Sequence, residues 1–249
     1  MIKTRIIPIL TFNGFALVKT VNFKNPRMLG NPVQSAKVFN SRGVDELVFL
    51  DILASKQNRK INLSVVKRVI DECFMPVSIG GGITNIEDIH NLLKIGADKV
   101  VIKSQALKKP EFVSEASKVF GSQCITIAID AVRNEGKYFI HNDLGLSVEV
   151  EKFILEMQNL GAGEFIVNSV DEDGKMKGFD IRLYNYVNEF SFIPIVFCGG
   201  AGEPNHFQDL FLNTECNSVG AASVFSFTQF TPLDIKQKLS SIGKPVRID

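Results

Sequence analysis

Cys124-Ile125-Thr126-Ile127-Ala128-Ile129-Asp130 is an almost wholly apolar run that ends on a carboxylate. A short run rich in β-branched residues reads as a strand buried on both faces, the kind found in parallel sheets. A carboxylate at the C-terminal tip of such a strand sits at the mouth of the sheet, where α/β proteins place their chemistry. The plainer alternative is that Asp130 caps the following loop.

Seven further apolar, strand-like runs can be picked out. The eight begin near Arg5, Glu46, Met75, Asp98, Cys124, Glu164, Ile193 and Asn217. Helix-period segments lie between most of them, among them Pro32–Asn40, Leu63–Glu72, Ile86–Lys94, Pro110–Phe120, Val148–Leu160 and Phe207–Asn213. Gly43, Gly96 and Gly161 stand where helices end. Strand and helix in alternation predict a parallel sheet. The starts at 5, 46, 75 and 98 recur 119, 118, 118 and 119 positions later, at 124, 164, 193 and 217. Matching features recur with them: Gly80-Gly81-Gly82 answers Gly199-Gly200, and Val44–Val48 answers Ala162–Ile166. Four βα units repeated once make eight, which predicts a (βα)8 TIM barrel over residues 1–249, with half-barrels of about 1–119 and 120–249. An open doubly wound sheet is the runner-up. It needs no duplication, and the glycines here do not complete a G-x-G-x-x-G.

Composition narrows the function classes. The 249 residues are 45% apolar with a net charge of +1 and no basic block, so neither nucleic acid nor an anionic membrane surface is expected as a partner. No apolar run reaches membrane-spanning length. Met1-Ile2-Lys3-Thr4-Arg5 leads straight into a strand and carries no signal-peptide cleavage pattern. Cys73, Cys124, Cys198 and Cys216 form no C-x-x-C and read as reduced thiols of a cytoplasmic protein. His90, His141 and His206 lack metal-ligand spacing, so no metal and no cofactor are expected.

On the C-terminal face, strand 3 ends on Gly80, Gly81 and Gly82, and strand 7 on Gly199, Gly200 and Gly202. Strands 4 and 8 are followed by Ser104 and Ser223. Glycine lets backbone N–H groups approach a ligand, and a following helix N-terminus favours anions, so each half offers one phosphate cradle. Tight turns would call for the same glycines. Asp171, Asp173 and Gly174 after strand 6 add a polar loop that is also an ordinary turn signal. On the opposite face Arg5, Glu46, Lys99 and Glu164 sit at or next to the starts of strands 1, 2, 4 and 6. Two cations and two anions at one level can close a neutral salt-bridged ring, can point outward as solvated strand ends, or can gate a small neutral molecule.

These residues, taken together, resemble the cyclase subunit of imidazole glycerol phosphate synthase. The resemblance covers essentially the whole chain, through Arg5–Pro8, Asp45–Ile52, Gly80–Ile83, Gly96–Val100, Phe120–Gln123, Ala128–Asp130, Gly161–Glu164 and Gly199–Gly202. It implies a lyase subunit of a glutamine amidotransferase in histidine biosynthesis. In that family a glutaminase docks on the barrel floor, and its ammonia passes the charged ring and crosses the barrel. There it attacks a bisphosphorylated ribulosyl aminoimidazole, giving imidazole glycerol phosphate and an aminoimidazole carboxamide ribotide. The resemblance makes Arg5, Glu46, Lys99 and Glu164 the ammonia gate and places Asp98 at the glutaminase interface. Gly82 and Ser104 would hold one phosphate of the small-molecule ligand, and Asp173, Gly174, Gly200 and Ser223 the other. Lys19 matches the family's mobile-loop lysine.

The departures bear on activity. The family uses two aspartates, at the ends of strands 1 and 5, as general acid and base. Asp130 is the second, and the first falls one repeat earlier, where this chain has Thr11. A threonine hydroxyl does not ionise near neutral pH and cannot take a proton as a carboxylate does. Lys103 stands in place of Asn, Lys175 in place of Thr and Asn168 in place of Thr. Lys103 can strengthen the first phosphate site by its charge or fill it by its bulk. Ammonia reception kept and half the acid–base pair lost is the pattern of divergent paralogs associated with surface-polysaccharide genes. Those are thought to pair with a glutaminase and supply ammonia to a separate sugar amidotransferase. A working histidine-pathway cyclase and a non-catalytic glutaminase activator are the alternatives.

Overall fold

The computed structural model describes residues 3–248. The part of the N-terminal expectation that concerns Met1 and Ile2 lies outside them. Eight parallel strands close into a barrel: β1 (Arg5–Phe12), β2 (Leu47–Asp51), β3 (Val77–Gly80), β4 (Lys99–Ile102), β5 (Ile125–Asn134), β6 (Glu164–Ser169), β7 (Ile195–Cys198) and β8 (Ser218–Ala221). Each pairs with the next, and closure is made by β1 on β8 in the register Arg5↔Ser218 to Pro8↔Ala221. The strands start within two residues of the sequence-based positions. Around them run α1 (Pro32–Ser41), α2 (Leu63–Ile70), α3 (Ile86–Lys94), α4 (Glu111–Phe120), α5 (Val150–Asn159), α6 (Ile181–Phe190), α7 (Pro204–Asn213) and α8 (Pro232–Ser241). This is a (βα)8 TIM barrel.

Local sequence explains the helix ends. Asn31, Asn62 and Asn85 cap α1, α2 and α3 by accepting backbone N–H groups, and Asn85 forms a capping box with Asp88. Thr231 and Asp234 do the same for α8. Alternation along the strands divides the apolar residues into two cores. The larger lies between strands and helices. The smaller fills the barrel itself with Ile7, Val48, Val101, Ile166, Val196 and Cys198. Among the described residues no helix is long and apolar enough to cross a membrane.

Two hairpins add to the barrel. After β1, strands Leu17–Val21 and Lys24–Gly30 turn through Asn22 and Phe23, both at positive φ (47° and 61°). The extended end of β5 pairs with Lys137–Ile140 through Glu135 and Gly136, again both at positive φ (47° and 85°). Two central residues at positive φ make the turn that matches the twist of paired strands. The segment that carries Lys19, a mobile loop by the family resemblance, is therefore largely hairpin. Short helices Ser104–Lys108 and Ser223–Phe227 follow β4 and β8.

Candidate functional site

On the floor, the four charges expected at the strand starts meet. Arg5 Nη1 lies 2.6 Å from Glu46 Oε1 and its Nη2 2.7 Å from Glu164 Oε1; Lys99 Nζ lies 3.2 Å from Glu46 Oε2 and 2.8 Å from Glu164 Oε2. Each cation contacts both anions, so the ring is closed and neutral. Arg5 Nε also donates to Ser218 Oγ at 2.8 Å. Burial opposes the Arg5 charge, but Glu164 and Glu46 outweigh it and hold the guanidinium above its ordinary pKa. Asp98 is exposed just below, and its Oδ2 accepts Val77 N–H at 2.8 Å.

On the opposite face opens a cavity of about 370 Å³. Thr11, Lys19, Gly82, Lys103, Ser104 and Asp130 line it, as do Asp173, Gly174, Gly200 and Ser223. Thr11, one residue before the end of β1, and Asp130, within β5, lie on strands four apart in an eight-strand barrel and both line the cavity, so they face one another across it. The Thr11 hydroxyl donates to Val18 O on the hairpin. Asp130 is not free: Lys103 Nζ lies 2.5 Å from its Oδ2, both side chains about a fifth to a quarter exposed. Asn168 also lines the cavity, whereas Lys175 pairs with Glu172 outside it.

The hairpin after β1 is docked over one side of the mouth. Lys19 Nζ reaches Asp173 Oδ1 at 2.7 Å with both residues buried. Asn22 Nδ2 donates to Val170 O and Asp171 O at 2.7 and 2.8 Å. Asp173 Oδ2 and Ser223 Oγ are buried on the cavity wall with no partner among the described residues. Two unmet polar groups facing a cavity are what a hydrogen-bonding ligand would satisfy.

Burial pushes the Asp173 carboxyl above its ordinary range, and the Lys19 ammonium pulls it part of the way back. A carboxyl raised by folding takes up a proton on folding. The stability it contributes is complete below the unfolded pKa of about 3.9 and is lost as pH rises through the folded value. The stability of wild type minus that of Asp173→Asn, measured by urea unfolding, therefore falls as pH is raised through that window. A difference that grows with pH would mean that Lys19 outweighs burial.

The glycines have a reason within the fold. Gly200 sits at φ +101°, and a Cβ there would lie 1.8 Å from Gly178 O. Gly82 sits at φ +67° with Arg59 O 2.4 Å from any Cβ. Backbone packed on backbone accounts for both without a ligand.

Asp51 and Arg59 were given no role from sequence. Asp51, at the tip of β2 and 3% exposed, is held by Arg59 at 2.5 Å and 2.9 Å in a two-pronged pair. Its Oδ1 also accepts Leu53 N–H and Ala54 N–H. Arg59 reaches on to Asn13 O at 3.3 Å, tying the β2 loop to the β1 loop. Asp51 ends an apolar run just as Asp130 does, and that was the available signal. His141, against Phe23 at 5.5 Å, and Asp143, paired with Lys56, complete the mouth. All four cysteines are free thiols; burial pushes Cys216 up to about 12 and Cys198 higher still. Among the described residues no group of three His, Cys, Asp or Glu side chains is arranged to hold a metal ion.

The mouth of the (βα)8 barrel carries a rim of charged side chains and the glycine turns at β3 and β7, and the floor ring lies at the opposite end. The family model described as histidine biosynthesis protein matches residues 5–231, from the first residue of β1 to the N-cap of α8, and the chain belongs to that family.

Proposed function

We propose that this barrel is the ammonia-accepting half of a glutamine amidotransferase, related to the cyclase subunit of imidazole glycerol phosphate synthase. Its ammonia is passed on to a separate enzyme that amidates a sugar for a surface polysaccharide, rather than being consumed in imidazole ring closure. The observation that carries this reading is Thr11. Where acid–base cyclisation needs a second carboxylate facing Asp130, the chain has a non-ionising hydroxyl whose proton is committed to Val18 O.

Three features support the ammonia half of the reading. The closed ring of Arg5, Glu46, Lys99 and Glu164 lies across the floor. Above it the inward-facing Thr126 is fully buried, with an Oγ1 that has no partner among the described residues. A small hydrogen-bonding molecule in transit would meet that hydroxyl. At the same end, Phe74, Val119, Phe192 and Leu212 are 92%, 61%, 72% and 57% exposed, in or beside the connections that lead into β3, β5, β7 and β8. Large exposed apolar side chains at this end suit a protein partner, here a glutaminase.

The test is cyclase turnover of the bisphosphorylated ribulosyl aminoimidazole with ammonium salt, which takes the glutaminase out of the measurement. Wild type is expected to be silent, and Thr11→Asp to return a measurable rate, because a general acid–base partner is worth about 10²–10⁴-fold. Wild-type turnover at an ordinary enzymatic rate of about 1–10³ s⁻¹ would overturn the reading and identify a histidine-pathway cyclase with a different proton route.

A further inference from the structure

Three of the positions at which the chain departs from the resembled family line the cavity: Thr11, Lys103 and Asn168. Lys103, at the end of β4, stands next to β5 in the sheet, and its ammonium lies 2.5 Å from Asp130 Oδ2. Both side chains line the cavity, and both are largely withdrawn from water. We infer that Lys103 is a specificity-determining residue that withholds Asp130 from proton transfer, so that ammonia reaching this cavity leaves it unreacted. The inference rests on the reading above and deepens it.

The chemistry follows from the pair. A general base ends its step protonated. A proton placed on Asp130 would cancel the charge that Lys103 faces and break the ion pair, leaving the ammonium, whose side chain is 24% exposed, without that partner. A general acid must begin its step protonated, and the same unpaired ammonium then stands beside it before any substrate reacts. Either role costs the ion pair. A neutral side chain at this position would impose no such cost. Lys103 therefore acts on the same function as the change at Thr11: one removes a carboxylate and the other commits the remaining one. The competing role is a cation for a phosphate held near Gly82 and Ser104, which the two remaining donors of the ammonium could serve. The structure places it on Asp130, and the test below separates the two roles.

The test compares wild type, Thr11→Asp, Thr11→Asp/Lys103→Asn and Thr11→Asp/Lys103→Arg in the full-length protein with ammonium salt, reading kcat and KM separately. The Asn double variant is expected to exceed Thr11→Asp in kcat by about ten-fold or more at unchanged KM, while the Arg variant, which keeps the charge, stays at the Thr11→Asp level. Lys103→Met replaces Lys103→Asn if thermal melting shows that the Asn variant is poorly folded. Equal kcat in the single and double variants, including both at zero, overturns the inference. So does an increase in KM of about ten-fold with kcat unchanged, which would make Lys103 a phosphate ligand. Calorimetric titration with inorganic phosphate gives a readout independent of turnover: affinity is expected to survive Lys103→Asn, and its loss overturns the inference. An active wild type instead strikes the proposed function itself. Failure of the inference alone leaves the wild type silent.

Discussion

Lys236→Met is expected to cost about 3 kcal/mol of folding stability, at the lower end of what breaking a buried ion pair costs. Lys236 lies on α8, near the C-terminus of the chain, and is 1% exposed. Its Nζ donates to Gly43 O at 2.8 Å and to Asp45 Oδ1 at 2.9 Å. Asp45 in turn accepts Ile6 N–H on its Oδ2 at 2.8 Å. One ammonium thus ties the last helix to the loop entering β2 and, through Asp45, to β1, next to the closure seam. Methionine nearly matches the volume of lysine and has a flexible chain, so the loss isolates the charge rather than opening a cavity. It leaves Asp45, whose side chain is 9% exposed, without a cation and Gly43 O without its donor. The cost stays at the low end because Asp45 keeps the Ile6 N–H. For a chain of this size about 3 kcal/mol corresponds to a fall in Tm of roughly 6–12 °C. Adding Asp45→Asn removes the stranded charge and should recover part of the loss, since a buried pair replaced whole is often near neutral. A Tm change below about 2 °C for Lys236→Met would show that the pair contributes little net stability.

Lys236 also marks where sequence reading stops. A lysine in an amphipathic helix reads as solvent-facing, and nothing local says that its carboxylate partner lies some 190 residues earlier. The barrel, by contrast, is written in local terms. Apolar runs such as Ile125–Ile129 and the recurrence of strand starts after 118 or 119 residues need no tertiary knowledge. The floor ring was legible for the same reason: Arg5, Lys99 and Glu164 are the first residues of their strands and Glu46 immediately precedes β2, so the apolar runs themselves point to the charges. The hairpin after β1 was not, because Phe23 occupies a positive-φ position that the usual turn residues advertise and phenylalanine does not. Ten of the residues that line the cavity could be singled out from the sequence, most of them through its family resemblance, but not their pairings. Lys103 with Asp130, Lys19 with Asp173 and Arg59 with Asp51 each join different loops or strand ends, and only the closed barrel brings them together.

In the floor ring, Glu164→Gln is expected to destabilise the protein by about 2–3 kcal/mol, and Lys99→Met added to it to return part of that loss. The intact ring carries two positive and two negative charges. Each contact is electrostatically large: at about 2.7 Å and an effective dielectric near 20, one pair is worth roughly 6 kcal/mol before desolvation is subtracted. Desolvation removes most of that, so the net value of the ring lies in its balance rather than in any one bond. Glu164→Gln leaves Arg5 and Lys99 sharing Glu46 alone, with one cation in excess. The penalty falls short of a fully buried break because the side chains of Arg5 and Lys99 are 23% and 20% exposed and water can reach the surplus charge. Lys99→Met restores neutrality by leaving Arg5 with Glu46, which are already joined at 2.6 Å. A double-mutant cycle by urea unfolding should therefore show a favourable coupling of about 1–2 kcal/mol, larger than exposed ion pairs give. Strict additivity would mean that Lys99 and Glu164 act independently, as solvated strand ends would. A coupling of the expected size would establish that Lys99 and Glu164 act on each other across the barrel floor, as members of a closed ring do.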